Sequence, residues 1–265
     1  MRRARTGALA IALASACACA IASAADYARL PGGEFASVLP QGATPGTTAV
    51  ARVAPFELRA TPVTRGEFRA FLALHPEWRR GQAPAVFADA AYLADGPAAD
   101  DRPGVADARP VTEVSWFAAQ AFCESEGGRL PTWLEWEFAA AADETRADAR
   151  SDPAWRQRIL SWYAQPATGA PHDVGGPPDL HGVRDLHGLV WEWVDDFNAL
   201  FVAGDSRNQG DPDTLRFCGA GAISMADRDN YAVLMRVALL SSLSAPDTLR
   251  TLGFRCVRHI PGEPR

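Results

Sequence analysis

Lysine is absent from this 265-residue chain, so arginine supplies every permanently basic side chain. The absence excludes a Schiff-base lysine and the lysine of a phosphate-binding loop. Acidic residues outnumber basic ones by 32 to 26, and the formal net charge of −6 argues against a nucleic-acid partner. The five histidines show no His-x-x-x-His spacing, and no Gly-x-Ser-x-Gly motif occurs. The sequence therefore points away from lysine-based catalysis and from serine-hydrolase chemistry.

The amino terminus has the pattern of a secretory signal. Three arginines within residues 2–5 precede a short apolar stretch over 7–21, and the small residues 22–24 are typical of a cleavage site. Serine, cysteine and small side chains interrupt this stretch, which makes it a poor transmembrane span. We expect a signal peptide over residues 1–24 and a single domain over 25–265. The protein is then periplasmic or secreted, with no transmembrane segment after signal removal.

Cysteine is scarce, and its distribution limits the redox chemistry. Of the five cysteines, Cys17 and Cys19 lie in the signal, where the alternative is that one of them carries a lipid anchor. The mature chain keeps Cys123, Cys218 and Cys256. An exported protein can form disulfides, so three cysteines suggest one bridge and one remaining thiol.

Local patterns predict few helices and many short strands. Residues 26–60 are rich in glycine, proline and β-forming residues, which favours strands and turns. Capping boxes that begin at Thr64 and Thr132 predict the start of two helices, and Ser115 is the N-cap candidate of a third. From residue 185 onward, the pattern indicates short strands and turns again. About half of the chain is expected to be irregular.

Four segments resemble the formylglycine-generating-enzyme, or sulfatase-modifying-factor, family in order and spacing. They lie at residues 62–68, 110–137, 185–193 and 252–256. Among them are Arg-Leu-Pro-Thr at 129–132, Trp-Glu-Trp at 191–193 and Leu-Gly-Phe-Arg at 252–255. The resemblance implies an α+β fold, a compact C-type-lectin-like domain with little regular secondary structure.

Active members of this family are copper-dependent oxidases that convert a substrate cysteine to formylglycine with two cysteines five residues apart. Counting along the resemblance places those two positions at Asp227 and Ala232. Copper(I) in such a site needs soft thiolate ligands, and aspartate with alanine cannot supply two. The family's own oxidase activity is therefore not expected of this chain.

Residues 193–197, 217–221 and 229–236 resemble a bacterial subgroup that accompanies copper-containing nitrite reductases, enzymes of denitrification. The resemblance implies an exported accessory or maturation factor that binds a protein or peptide partner, in particular a copper enzyme. The alternative is a metal-dependent oxidoreductase that acts on a peptide substrate with a non-standard site. An interaction module with no cofactor beyond calcium is a third interpretation.

The resemblance also implies a structural calcium site and a disulfide. Asp185, Gly188, Val190 and Glu192 match the family's calcium ligands, two through carboxylates and two through backbone carbonyls. Calcium prefers such hard oxygen donors. The family ties together the positions of Cys123 and Cys256, which leaves Cys218 as the remaining thiol.

Cys218 is open to two interpretations. One is a small buried hydrophobic residue. The other is a soft-metal thiol with Met225 and His187 as neighbours, a set of thiolate, thioether and imidazole ligands that suits copper. Copper is therefore the second candidate cofactor beside calcium.

Overall fold

The computed structural model describes residues 26–39, 49–96, 107–164, 171–200 and 231–262. The predicted signal peptide lies outside these ranges. The described α-helices are α1 Arg65–Leu74, α2 Trp116–Ser125, α3 Trp133–Ala140, α4 Pro153–Tyr163 and α5 Tyr231–Ser241, and two single-turn 3-10 helices lie at Pro76–Trp78 and Phe197–Ala199. The described strands are β1 Tyr27–Leu30, β2 Gly33–Ser37, β3 Ala49–Val53, β4 Phe56–Arg59, β5 Trp191–Glu192, β6 Leu252–Gly253 and β7 Val257–His259.

These strands form three small sheets. β4 lies between β1 and β7 in an antiparallel sheet, so the two ends of the described chain meet there. β2 and β3 form a separate antiparallel pair, and β5 pairs in parallel with β6. Short strands, five α-helices in the described residues and long irregular connections make the architecture α+β, which confirms the predicted fold class.

The three helix starts predicted from capping patterns are confirmed. The Thr64 hydroxyl accepts a hydrogen bond from the Glu67 backbone N–H, and the Glu67 carboxylate accepts from the Thr64 N–H. The same reciprocal pair of bonds opens α3 at Thr132, and Ser115 caps α2. Such caps satisfy N–H groups that have no partner within the helix, so they specify a helix start from local sequence alone.

Two described helices differ from the expectation for their segments. The prediction of only short strands and turns after residue 185 is wrong for α5, whose sequence is rich in Ala, Leu and Met, all strong helix formers. Helix α4 begins with Asp152 as N-cap and Pro153 in its first turn, a regular start signal within a segment that looked merely charged and variable. Helix α5 packs against α4.

A disulfide joins α2 to the carboxy-terminal segment within the main core. The sulfurs of Cys123 and Cys256 lie 2.00 Å apart, and both residues are fully buried. Beside them, the ring of Phe122 stacks on Phe68 at 5.8 Å and meets Phe254 edge-on at 5.4 Å. The core therefore ties α1, α2 and the last strands together. None of the helices in the described ranges is long and apolar enough to cross a membrane.

Candidate functional site

A cavity of about 440 Å³ opens between α4 and the loop over residues 172–189. Its apolar lining includes Trp155 and Trp162 of α4, and its polar lining includes four carboxylates. His187 also lines the cavity. A volume of this size falls in the range of sites that bind small ligands or a few side chains. This cavity is therefore the candidate functional site.

Aromatic side chains surround the imidazole of His187. The ring centroids of Trp155 and Trp136 lie 5.6 and 5.9 Å away, each close to perpendicular to the imidazole. Trp162 and Tyr163 complete the surround at 6.3 and 6.5 Å. His187 therefore packs as an aromatic residue within this cluster.

Hydrogen bonds assign the tautomer of His187. Nε2 lies 2.9 Å from the carbonyl oxygen of Ala140, which can only accept, so Nε2 carries the hydrogen. Nδ1 then keeps its lone pair and faces the Tyr163 hydroxyl at 3.5 Å. The pKa of His187 is lowered to about 4, mainly by burial and to a smaller extent by the nearby guanidinium groups of Arg236 and Arg255. The imidazole is therefore neutral at pH 7.

Two buried arginines lie behind this cluster. Arg255 donates to both carboxylate oxygens of Glu192, at 2.8 and 3.0 Å, and all of these groups have no exposed surface. The indole of Trp136 donates to the same carboxylate at 3.0 Å. A paired and hydrogen-bonded carboxylate of this kind is costly to disrupt, because removal of one partner leaves a buried charge.

Arg236, on α5, is the second buried arginine. Its guanidinium lies 3.6 Å from the centre of the Trp136 ring and donates to the backbone carbonyl of Glu192. Its Nε and Nη1 atoms have no hydrogen-bond partner among the residues that the structure describes. Burial lowers the pKa of Arg236 to about 10, so it stays protonated at pH 7. The two positively charged arginines thus share one negatively charged neighbour, the carboxylate of Glu192.

The loop of the predicted calcium ligands lies at the edge of the cavity. The Asp185 carboxylate accepts hydrogen bonds from the backbone N–H groups of Gly175 and Gly176, at 2.7 and 3.0 Å. In the described part of the chain, the carbonyls of Gly188 and Val190 accept no hydrogen bond. These three groups keep lone pairs that suit calcium.

Glu192 fits calcium less well than the other three predicted ligands. Both of its carboxylate oxygens already accept hydrogen bonds from Arg255, and one also accepts from Trp136. A calcium ion could take a side-chain oxygen of Glu192 only at the expense of these contacts. Calcium binding at this loop stays a prediction of the resemblance.

The remaining predicted site residues are Cys218, Met225, Asp227 and Ala232. Cys218, Met225 and Asp227 lie outside the described residues, and Ala232 lies in the first turn of α5. Among the residues that are described, no three His, Cys, Asp or Glu side chains form a group that could hold a metal ion. The aromatic cluster was missed from the sequence, since its members come from three separate segments.

Two solved structures are similar to this chain over most of their length. PvdO from Pseudomonas aeruginosa shares 20% sequence identity, with 88% of this chain and 93% of that chain covered, at a TM-score of 0.43. CarF shares 17% identity, with 89% and 98% covered, at a TM-score of 0.45.

Sequence comparison identifies the family. The family model described as the sulfatase-modifying factor enzyme 1-like domain matches residues 16–260. A formylglycine-generating enzyme of Streptomyces coelicolor is 30% identical over 280 residues, which cover 86% of this chain and 87% of that protein. This chain therefore belongs to the sulfatase-modifying factor enzyme 1-like family.

Proposed function

We propose that this protein is an exported accessory or maturation factor that binds a protein or peptide partner linked to a copper enzyme such as nitrite reductase. The distribution of cysteines carries the proposal. Cys123 and Cys256 are joined in the disulfide, so Cys218 is the one other cysteine after residue 25. Two thiolates for copper(I) cannot come from a single remaining cysteine.

Two further observations support a binding role for this chain. The segments 193–197, 217–221 and 229–236 resemble the subgroup that accompanies copper-containing nitrite reductases. The cavity beside His187 has the size of a ligand site, and its polar lining lies against tryptophans. Aromatic rings beside a few polar groups are typical of recognition sites, because they supply contact area at little cost in side-chain entropy.

The absence of oxidase activity can be tested directly. Purified protein is incubated with copper(I), oxygen and a cysteine-containing sulfatase-type peptide, with the Streptomyces coelicolor relative as positive control. Mass spectrometry should show the peptide unchanged. Conversion of its cysteine to an aldehyde by this protein would contradict the proposal.

The link to a copper enzyme needs a second measurement. A copper nitrite reductase is exported with and without this protein, and its copper content per polypeptide is measured after purification. We expect a higher copper content, or a stable complex of the two proteins, when this protein is present. Equal copper content and no complex would remove the accessory role. A redox metal at near one equivalent in this protein itself, with oxidation of a peptide, would favour the alternative of a metal-dependent oxidoreductase.

A further inference from the structure

The charges that line the cavity beside His187 do not cancel. The acidic residues of the lining are Asp143, Glu144, Asp179 and Asp185, and its arginine is Arg158. Asp143 pairs with Arg146, which lies outside the lining, and Glu144 pairs with Arg158 at 3.3 Å. Neither of the other two carboxylates forms an ion pair with a described residue. Two carboxylates of the lining therefore lack an ion pair in the described part of the chain, and Arg255 attracts Asp179 only through space.

Backbone groups hold these two carboxylates in place. Oδ1 of Asp179 accepts from the N–H groups of His181 and Val183, at 2.8 and 2.9 Å. Its other oxygen has no hydrogen-bond partner among the described residues. Burial raises the pKa of Asp179, whereas its backbone hydrogen bonds and the guanidinium of Arg255 lower it. Asp185 is likewise held only by backbone N–H groups, those of Gly175 and Gly176. A positively charged ligand at this wall could form an ion pair with either carboxylate.

The helical wall of the cavity is aromatic, and the one arginine that lines it, Arg158, is paired with Glu144. Trp155 is almost fully buried, and Trp162 packs so closely that a Cβ on Gly188 would lie 2.9 Å from the indole. Carboxylates together with aromatic faces form a suitable environment for an organic cation, because both the negative charge and the ring quadrupole attract it.

We infer that this cavity binds a basic side chain of the partner, the guanidinium of an arginine or the ammonium of a lysine, between the α4 tryptophans and Asp179. The peptide origin of the cation rests on the proposed partner-binding function. The cavity volume of about 440 Å³ accommodates one such side chain with its adjoining backbone. Arginine is the better match of the two, because its planar guanidinium both stacks on indole and bonds a carboxylate with two N–H groups.

The test compares blocked tripeptides that differ in one charge. Acetyl-Gly-Arg-Gly-amide, its citrulline counterpart and free guanidinium are each titrated into the intact protein at pH 7 with chelator present, and tryptophan fluorescence is followed. We expect the arginine peptide to bind at least tenfold more tightly than the citrulline peptide and than free guanidinium. Asp179→Asn should weaken binding of the arginine peptide about tenfold, since the amide keeps the Oδ1 acceptor but loses the charge.

Two further variants make the comparison specific. Asp185→Asn should also weaken binding, and it serves as the second charge-removing variant if Asp179→Asn does not fold. Glu34→Gln removes the same charge on exposed β2, away from the cavity, and should bind as the unmodified protein does. Equal affinity for arginine and citrulline peptides would overturn the inference, as would equal weakening by Glu34→Gln. Free guanidinium binding as tightly as the peptide would overturn the assignment to a partner side chain.

This outcome is separable from that of the proposed function. The titration uses the isolated protein and needs no copper enzyme. Peptide binding without any effect on nitrite reductase would remove the copper-enzyme link and leave the basic-side-chain site. A complex with nitrite reductase that is unaffected by Asp179→Asn and Asp185→Asn would remove only the site.

Discussion

Mild acid should destabilise this protein through His187. The folded-state pKa of its imidazole is about 4, whereas the ordinary value of a histidine is about 6.5. Burial among aromatic rings is the main cause, and the guanidinium groups of Arg236, Arg255 and Arg158 oppose protonation as well. The unfolded chain therefore binds a proton at this residue between these two pH values, while the folded chain does not. The contribution of His187 is fully present above pH 6.5 and is lost as the pH falls toward 4.

The size of the effect follows from the difference between the two pKa values. Each pH unit within this window costs at most about 1.4 kcal/mol of unfolding free energy. Between pH 7 and pH 5, the loss integrates to about 2 kcal/mol for one histidine. This figure is an upper limit, because the His187 side chain is partly exposed and solvent screens its charge. In a domain of this size, such a loss corresponds to a fall of about 4–8 °C in the melting temperature.

The assay compares melting curves of the unmodified protein and His187→Gln at several values between pH 7 and pH 5. Glutamine keeps an N–H donor for the Ala140 carbonyl but does not titrate. Burial raises the pKa of Glu137 and Asp196, so these carboxyls change stability in the opposite direction as the pH falls. Both proteins contain them, so the difference between the two curves isolates His187. A difference that stays constant from pH 7 to pH 5 would refute the reasoning.

Three further predictions concern the cysteines and calcium. Reduction of the disulfide, or the double change Cys123→Ala and Cys256→Ala, should lower the free energy of unfolding by up to about 5 kcal/mol. The reason is that the bridge closes a long loop in the unfolded chain, with a sequence separation of 133. A denaturant midpoint that does not move would contradict this prediction. Excess chelator should lower the melting temperature by several degrees, since an ion bound only to the native state stabilises it by mass action. Asp185→Ala should remove that response, and a melt indifferent to chelator would count against the calcium site. Cys218→Ala should abolish copper(I) binding in a titration if the thiol is a metal ligand; if Cys218 is instead a core residue, the change should lower stability through a small cavity and leave copper binding intact.

The predictable parts of the fold are those specified within a few residues. The capping boxes at Thr64 and Thr132 could be read directly, because the hydroxyl and the carboxylate that form each box are three residues apart. Helix α4 carries an equally local signal, Asp152 followed by Pro153, which the charged composition of its segment obscured. Most residues of helix α5 are apolar, so its sequence shows little amphipathic character. The hydrophobic pattern of this segment therefore did not distinguish a helix from a buried strand.

The candidate site could be predicted only in part. Glu192 could be singled out as a site residue, but its carboxylate meets Arg255, a partner 63 positions further along the chain. Likewise, Asp143 pairs with Arg146 only three residues away, whereas Glu144, its neighbour in the same cavity, pairs with Arg158, which is 14 residues further along the chain. Such pairing depends on which segments the fold brings together.

The sequence by itself determined which reactive side chains are present: the chain has no lysine and three cysteines after residue 25. It has no cysteine at Asp227 or Ala232, where the resemblance predicts the family's copper ligands. Composition is a property of the chain, and no arrangement in space can add a missing thiolate. Only the tertiary structure decided how those side chains are used. It brought Cys123 against Cys256 and placed His187 among four aromatic rings where its charged form is disfavoured. Both outcomes depend on distance and on exclusion of water, which arise only when remote segments pack together.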